Sequence, residues 1–229
     1  MRDDLLHLTS RFEKSIAKGG VTPVGIMWPN ATDLAVRFET LLSAVDFNAY
    51  SADNKLKLLD LGCGPGFLLD WLQENRLLDR VDYAGVDVTE VTMHHARQRW
   101  PAQRFELRDI RERPFGAGEF DFCIICGIFT ARFENSYEVM ETLAHDTLRA
   151  VWPSTRIGLS FNTMSKHVDW ERDDLFHWPL DDMMAFCKKE MSRHVTLHLD
   201  YGPWETSAVV TRKPTTATTA TPANWFGDR

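Results

Sequence analysis

Residues 58–69 read LLDLGCGPGFLL. Gly62, Gly64 and Gly66 stand at every second position, directly behind an apolar run. Glycine permits a tight strand-to-helix turn and lets a ligand lie against bare main chain. Pro65 suits an early helical position, where its missing N–H costs nothing. The stretch therefore predicts a strand, a ligand-facing loop and a helix.

The same alternation continues downstream. KLKLLDLG, VDYAGVDV, RFELRDI, FDFCIICGIFT and RIGLSFNT read as strands. PGFLLDWLQENRL, TEVTMHHARQRW and SYEVMETLAHDTLRAVW read as helices between them. Strand–helix repetition predicts an α/β fold, with a parallel sheet and helices on both faces. The run FDFCIICGIFT is apolar enough to be buried on both faces. After the helix PLDDMMAFCKKEMS, the strands HVTLHLDYG and ETSAVVTRK share the short link YGPWE. So short a link forces antiparallel pairing.

Two helices are expected ahead of the first strand. Leu5, Leu8, Phe12 and Ile16 share one helical face, which KGG ends. Leu34, Phe38, Leu41, Leu42 and Val45 form the stripe of a second helix, with Asn30 as its cap and Asp33 in its first turn. We divide the chain into cap helices over residues 1–50, a cofactor-binding core over 51–213 and a Thr/Ala/Pro tail over 214–229. The tail ends in the aromatic pair Trp225 and Phe226, a candidate docking element.

The 229 residues are 44% hydrophobic and 26% charged, with a net charge of −7. That balance argues against a nucleic acid as main partner, because such binders carry basic patches. No stretch reads as a signal peptide or a membrane span. Four scattered cysteines fit a reducing, cytoplasmic setting. Cys123 and Cys126 are three apart on a strand and so face opposite ways. His94 and His95 are neighbours on a helix and cannot share a ligand, and His194 and His198 stand too far apart along their strand. No metal site is expected.

The chemistry rests on the glycine loop and on Asp87, which ends the second strand. A carboxylate there can accept both hydroxyls of a ribose, so loop and acid together read as an adenosine site. The spacing G-x-G-x-G departs from the dinucleotide fingerprint G-x-G-x-x-G. Asp60 beside the loop repels a pyrophosphate but suits an ammonium. Both features favour S-adenosylmethionine over a nicotinamide dinucleotide.

LLDLGCGPGFLLDWL resembles the first motif of class I S-adenosylmethionine-dependent methyltransferases, and the resemblance extends over about residues 50 to 213. It implies a Rossmann-like, seven-stranded, mostly parallel sheet ending in an antiparallel hairpin. It implies cofactor contacts from Asp60, Gly62, Cys63, Gly64 and Gly66, and from Asp87 and Val88 at the ribose. Asp109 and Ile110 in FELRDI are implied at the adenine, and Cys126 and Gly127 beneath the methionyl part. Arg37 and Trp28 in the N-terminal region are implied at the cofactor's carboxylate end. That region is similar to bacterial small-molecule enzymes.

The long segment FNTMSKHVDWERDDLFHWPL is expected to build the acceptor side with Asn162, His167, Trp170, Phe176, His177 and Trp178. His167, then His177, is the expected general base, because an imidazole titrates near neutrality. RDIRERP is expected to be a solvated connection. The N/D-P-P-Y/F motif of base- and amide-directed enzymes is absent. The expected activity is O-methylation of a metabolite or sugar by a monomer or homodimer. The alternatives are nitrogen- or carbon-directed transfer, or a non-catalytic subunit that binds the cofactor.

Overall fold

Leu58 and Leu59 are adjacent in a strand, point to opposite faces, and are both fully buried. Phe122, Cys123, Ile124 and Ile125 repeat this over four positions. Strands that are dry on both faces must lie between two layers of helix. The computed structural model, which describes residues 3–28 and 31–216, has that arrangement.

The strands are β1 (Leu56–Leu61), β2 (Val81–Asp87), β3 (Arg104–Leu107), β4 (Phe120–Phe129), β5 (Thr155–Met164), β6 (His194–His198) and β7 (Glu205–Thr211). They form one seven-stranded sheet in the order β3-β2-β1-β4-β5-β7-β6. All neighbours are parallel except β7, which runs antiparallel to both β5 and β6. The helices are α1 (Asp3–Gly19), α2 (Ala31–Leu41), α3 (Phe67–Glu74), α4 (Glu90–Arg99), α5 (Tyr137–Val151) and α6 (Leu180–Glu190). The Rossmann-like architecture expected from the sequence is thus the one observed. The cap position Asn30, the pair Trp225 and Phe226, and the rest of residues 217–229 lie outside the described residues.

The two faces have separate cores. Leu34, Phe38 and Leu41 of α2 and Leu68, Leu69 and Leu72 of α3 pack on Leu58, Phe122 and Ile124. Leu5 and Leu8 of α1, Met140 and Leu143 of α5 and Met183 of α6 pack on Leu59, Cys123 and Ile125. The N-terminal helices therefore sit on opposite faces, α1 with α5 and α2 with α3. Cys123 and Cys126 belong to different cores, as their spacing predicts. No described helix is long and apolar enough to cross a membrane.

Strand order reverses between β1 and β4, so the sheet opens a crevice at their carboxyl ends. A buried ion pair braces the α2 side of that crevice. Arg37 of α2 donates from Nε to Glu205 Oε1 at 2.9 Å and from Nη2 at 2.5 Å. Glu205 also accepts from Asn162 Nδ2 at 2.6 Å, and Asn162 Oδ1 accepts the Gly127 N–H at 2.7 Å. One chain of charge-assisted bonds thus runs from α2 through β7 and β5 to the end of β4. Removing one member of a buried pair leaves the other charge unpaired, at a cost of about 3–5 kcal/mol. Arg37→Met should destabilise the protein by about that much in urea denaturation. The double variant Arg37→Met/Glu205→Leu should be the more stable of the two.

A second buried acid lies deeper. Asp60 is 3% exposed, and its Oδ2 accepts the Tyr83 hydroxyl at 2.7 Å. Burial pushes its carboxyl up to about 7, against the opposing Tyr83 hydrogen bond. The raised value means that the fold favours the neutral acid. That contribution to stability is complete below about pH 4, the unfolded value, and is lost as pH rises through about 7. Asp60→Asn should therefore flatten the fall in stability between pH 4 and 7, by on the order of 4 kcal/mol at most. Denaturant titrations at several pH values read this directly.

Candidate functional site

The loop between β1 and α3 is pinned from below. The Gly62 and Cys63 N–H groups both donate to Val86 O of β2, at 2.7 and 3.0 Å. All three loop glycines have left-handed φ, between 53° and 85°. They make room for different things. A Cβ on Gly62 would stand 2.6 Å from the Ile128 side chain, and one on Gly66 would stand 3.1 Å from the Trp100 indole. A Cβ on Gly64 would meet none of the described residues within 4 Å. Gly62 and Gly66 yield space to the protein itself, while Gly64 leaves its main chain open to the crevice.

Asp87, at the end of β2, is fixed opposite this loop. Its Oδ2 accepts the Gly64 N–H at 3.0 Å and its Oδ1 the Thr89 N–H at 2.8 Å. Burial raises its affinity for a proton, and these two N–H groups oppose that. Each oxygen keeps a further lone pair, so the carboxylate can still accept the two hydroxyls of a diol.

Beyond β3 the Arg111 guanidinium forks onto Asp109, from Nε at 3.0 Å and Nη2 at 2.7 Å. The Arg111 side chain is 3% exposed. The charged run RDIRERP is therefore not simply a solvated connection. Its first half turns inward, and Arg108, Asp109, Ile110 and Arg111 all line the cavity. Pairing within the run removes the cost of burying its charges.

The floor is the end of β4. Its pairing with β5 slips between Ile125 and Phe129. Gly127 sits in that slip at φ 88°. The Trp28 indole lies against it: a Cβ there would stand 2.5 Å from Trp28 Cζ2. The same indole carries the Arg37 guanidinium at 4.1 Å, a cation–π contact. The roof is α1, which contributes Leu5, Leu8, Thr9 and Phe12. Leu143 and Thr147 of α5 close the far side.

One cavity thus gathers Trp28, Gly62, Gly64, Asp87, Val88, Asp109, Ile110, Cys126 and Gly127 from the expected residues. Four others do not line it. Arg37 turns to Glu205 and lies behind Trp28, because a buried guanidinium requires its counter-charge. Asp60 points into the α2 side and is held by Tyr83. The Cys63 side chain packs with Met93 and Ala96, on the side of α4. Gly66 faces Trp100 and caps α3 in a left-handed conformation.

The expected bases are corrected as well. His167 is exposed and lies outside the cavity wall. His177 is buried, with Nδ1 2.6 Å from Ser165 O and the Arg172 N–H 3.5 Å from Nε2. With Nδ1 beside a carbonyl it donates there, so the ring ties residues 165–177 together rather than facing an acceptor. Phe176 and Trp178 are fully buried in the core, and Asn162 serves Gly127 and Glu205. This long segment braces the cavity from behind, through the Phe176 N–H to Thr130 O at 2.8 Å.

The side chains that sequence reading missed include those of α1 and α5, Leu5, Leu8, Thr9, Phe12, Leu143 and Thr147. Their stripes look like ordinary core stripes, and two turns of α1 and one of α5 are left facing the cavity. Arg111 had a readable signal, since an arginine two residues after an acid can fold back on it.

Comparisons with known proteins agree with this fold. Residues 58–150 match the model of a methyltransferase domain. The chain is 31% identical over 165 residues to Rv1506c of Mycobacterium tuberculosis, whose name carries an inferred methyltransferase activity; the match covers 70% of this chain and 95% of that protein. Among solved structures, the magnesium protoporphyrin IX methyltransferase of Synechocystis PCC 6803 with bound S-adenosylmethionine is similar at TM-score 0.56 and 16% identity, covering 91% of this chain and 98% of that one. The 1,6-didemethyltoxoflavin-N1-methyltransferase of Burkholderia thailandensis is similar at TM-score 0.59 and 14% identity, covering 93% and 92%. A shared fold, a matched domain and a relative aligned over nearly its full length place this sequence: the chain belongs to the class I S-adenosylmethionine-dependent methyltransferases.

Proposed function

We propose that this enzyme transfers the methyl group of S-adenosylmethionine to an oxygen of a small molecule seated beneath α1. The observation that carries this reading is the cavity itself, in which open main chain at Gly64 faces Asp87 under an apolar roof. In this reading Asp87 holds the ribose hydroxyls, with Gly62, Gly64 and Val88 around it. Asp109 and Ile110 border the adenine. Trp28, Cys126 and Gly127 border the methionyl end. When bound, the cofactor supplies a methyl group already activated on a sulfonium. The protein's task is then to align the acceptor and exclude water. The acceptors named for the two similar structures, a porphyrin and a toxoflavin precursor, are both small molecules. Nitrogen, the atom named for the Burkholderia enzyme, is the competing acceptor.

Asp87→Ala should weaken binding of S-adenosylhomocysteine at least tenfold by calorimetry, from the loss of about 1.5–3 kcal/mol per charge-assisted hydrogen bond. Gly64→Ala should cost about 1–2 kcal/mol of stability through its left-handed φ, and should also block the cofactor. NAD should leave the melting temperature unchanged where S-adenosylmethionine raises it. A melting temperature raised by NAD alone would overturn the assignment. A methyl-transfer screen with labelled donor identifies the acceptor atom.

A further inference from the structure

We infer that the acceptor is an acid with an apolar body, a carboxylic acid or an acidic phenol, methylated on its ionised oxygen; this rests on the cofactor reading of the same cavity. Once Gly64, Asp87, Asp109 and Gly127 are assigned to the cofactor, a recess remains between α1 and α5. Leu5, Leu8 and Phe12 form its ceiling, and Ile128, Ala131 and Leu143 its walls. Its polar side chains are Thr9 and Thr147, and the Thr9 hydroxyl donates to Leu5 O of its own helix at 2.9 Å. None of the recess side chains among the described residues is ionisable.

The titratable groups of the cavity stand on the cofactor side and are engaged there. Asp87 accepts two main-chain N–H groups, and Asp109 accepts the fork of Arg111. Arg108 donates to Glu106 at 3.0 Å. Burial pushes the Cys126 thiol far above its ordinary value, so it remains protonated. An alcohol must give up a proton as it is methylated, and nothing described in the recess takes it. An amine would leave a new ammonium against leucine and phenylalanine.

An ionised oxygen avoids both difficulties. Its lone pair forms the O–CH3 bond while the S–CH3 bond breaks, and the bonding pair stays on sulfur. The sulfonium and the oxyanion both become neutral, and no proton moves. Opposite charges that cancel along the reaction are favoured by dry, apolar surroundings, where water would otherwise stabilise the separated ions. The apolar ceiling also selects the body of the acceptor. A sugar would bring several hydroxyls into a recess that offers two threonines, and buried hydroxyls without partners oppose binding.

Matched acceptors test this with the full chain and labelled S-adenosylmethionine. The panel is cinnamate, cinnamyl alcohol and cinnamylamine; decanoate, decanol and decylamine; and 4-nitrophenol, benzyl alcohol and benzylamine. At least one acid should be methylated ten times faster than its matched alcohol and amine; for a carboxylic acid kcat/KM should stay level from pH 7 to 9, and for 4-nitrophenol it should rise with ionisation of the phenol. Equal or faster transfer to an alcohol or amine overturns the inference. So does transfer to none of the acids by protein that binds S-adenosylhomocysteine in calorimetry. Loss of that binding instead sinks the cofactor reading, and this inference with it. Leu8→Asp should lower kcat/KM for the acid at least tenfold and change S-adenosylhomocysteine affinity less than twofold, whereas Leu8→Met should retain the activity. Unchanged kcat/KM in a folded Leu8→Asp variant overturns the recess assignment.

Discussion

The slip between β4 and β5 leaves the Gly127 N–H without a place in the sheet ladder. A buried N–H without a partner is costly, so something must supply an acceptor. Asn162 does so at 2.7 Å. Its carboxamide can point only one way, because Glu205 takes the other end. Glu205 in turn requires Arg37, and Arg37 presses on the Trp28 indole that covers Gly127. The chain closes on itself. The cavity floor is therefore not held by local turn chemistry alone. It is fixed by residues from the N-terminal region, β4, β5 and β7, which meet only in the finished fold.

This explains which parts of the site could be read from the sequence. Gly64 and Asp87 belong to one strand–helix–strand unit, β1–α3–β2, and spacing within that unit is enough to single them out. The strands and helices were legible for the same reason, since periods of two and of three to four residues are local. Arg37 is different. Its neighbours in the sequence say that it lies beside an apolar stripe, but its partner stands 168 residues away. The three loop glycines look alike in sequence, yet only the contacts from Ile128 and Trp100 separate the two packed ones from the open one. His177 misled for a chemical reason. A histidine in a long segment has the right proton affinity for a base, but the same ring atoms serve equally well to tie a loop to Ser165 O.

Several charges are buried on the α2 side of the sheet, and most of them are balanced. Arg37 faces Glu205 within hydrogen-bonding distance. Asp60 has Tyr83 as donor but, among the described residues, no cation, and it responds by holding its proton more tightly. Such pairs add little net stability over an apolar core. Their value here lies in direction. A leucine in place of Asn162 would fill space without fixing Gly127, whereas hydrogen bonds fix both distance and angle.

The two ligands of the proposed reaction are served by different parts of the chain. The cofactor wall is built from main chain and from acids at strand ends, which the sheet holds rigid. The acceptor recess is built from one face of α1 and one turn of α5, whose side chains meet in the core below. Polar recognition needs fixed geometry, because a hydrogen bond weakens steeply with misalignment. Apolar recognition needs only shape and dryness. A helix laid across the crevice supplies both, and it expels the water that would otherwise solvate an approaching oxyanion. Substitutions on that face of α1 can therefore change which acceptor fits without disturbing Gly64 or Asp87. In the proposed reading, acceptor choice and methyl-donor binding are separable because they rest on different interactions in different elements.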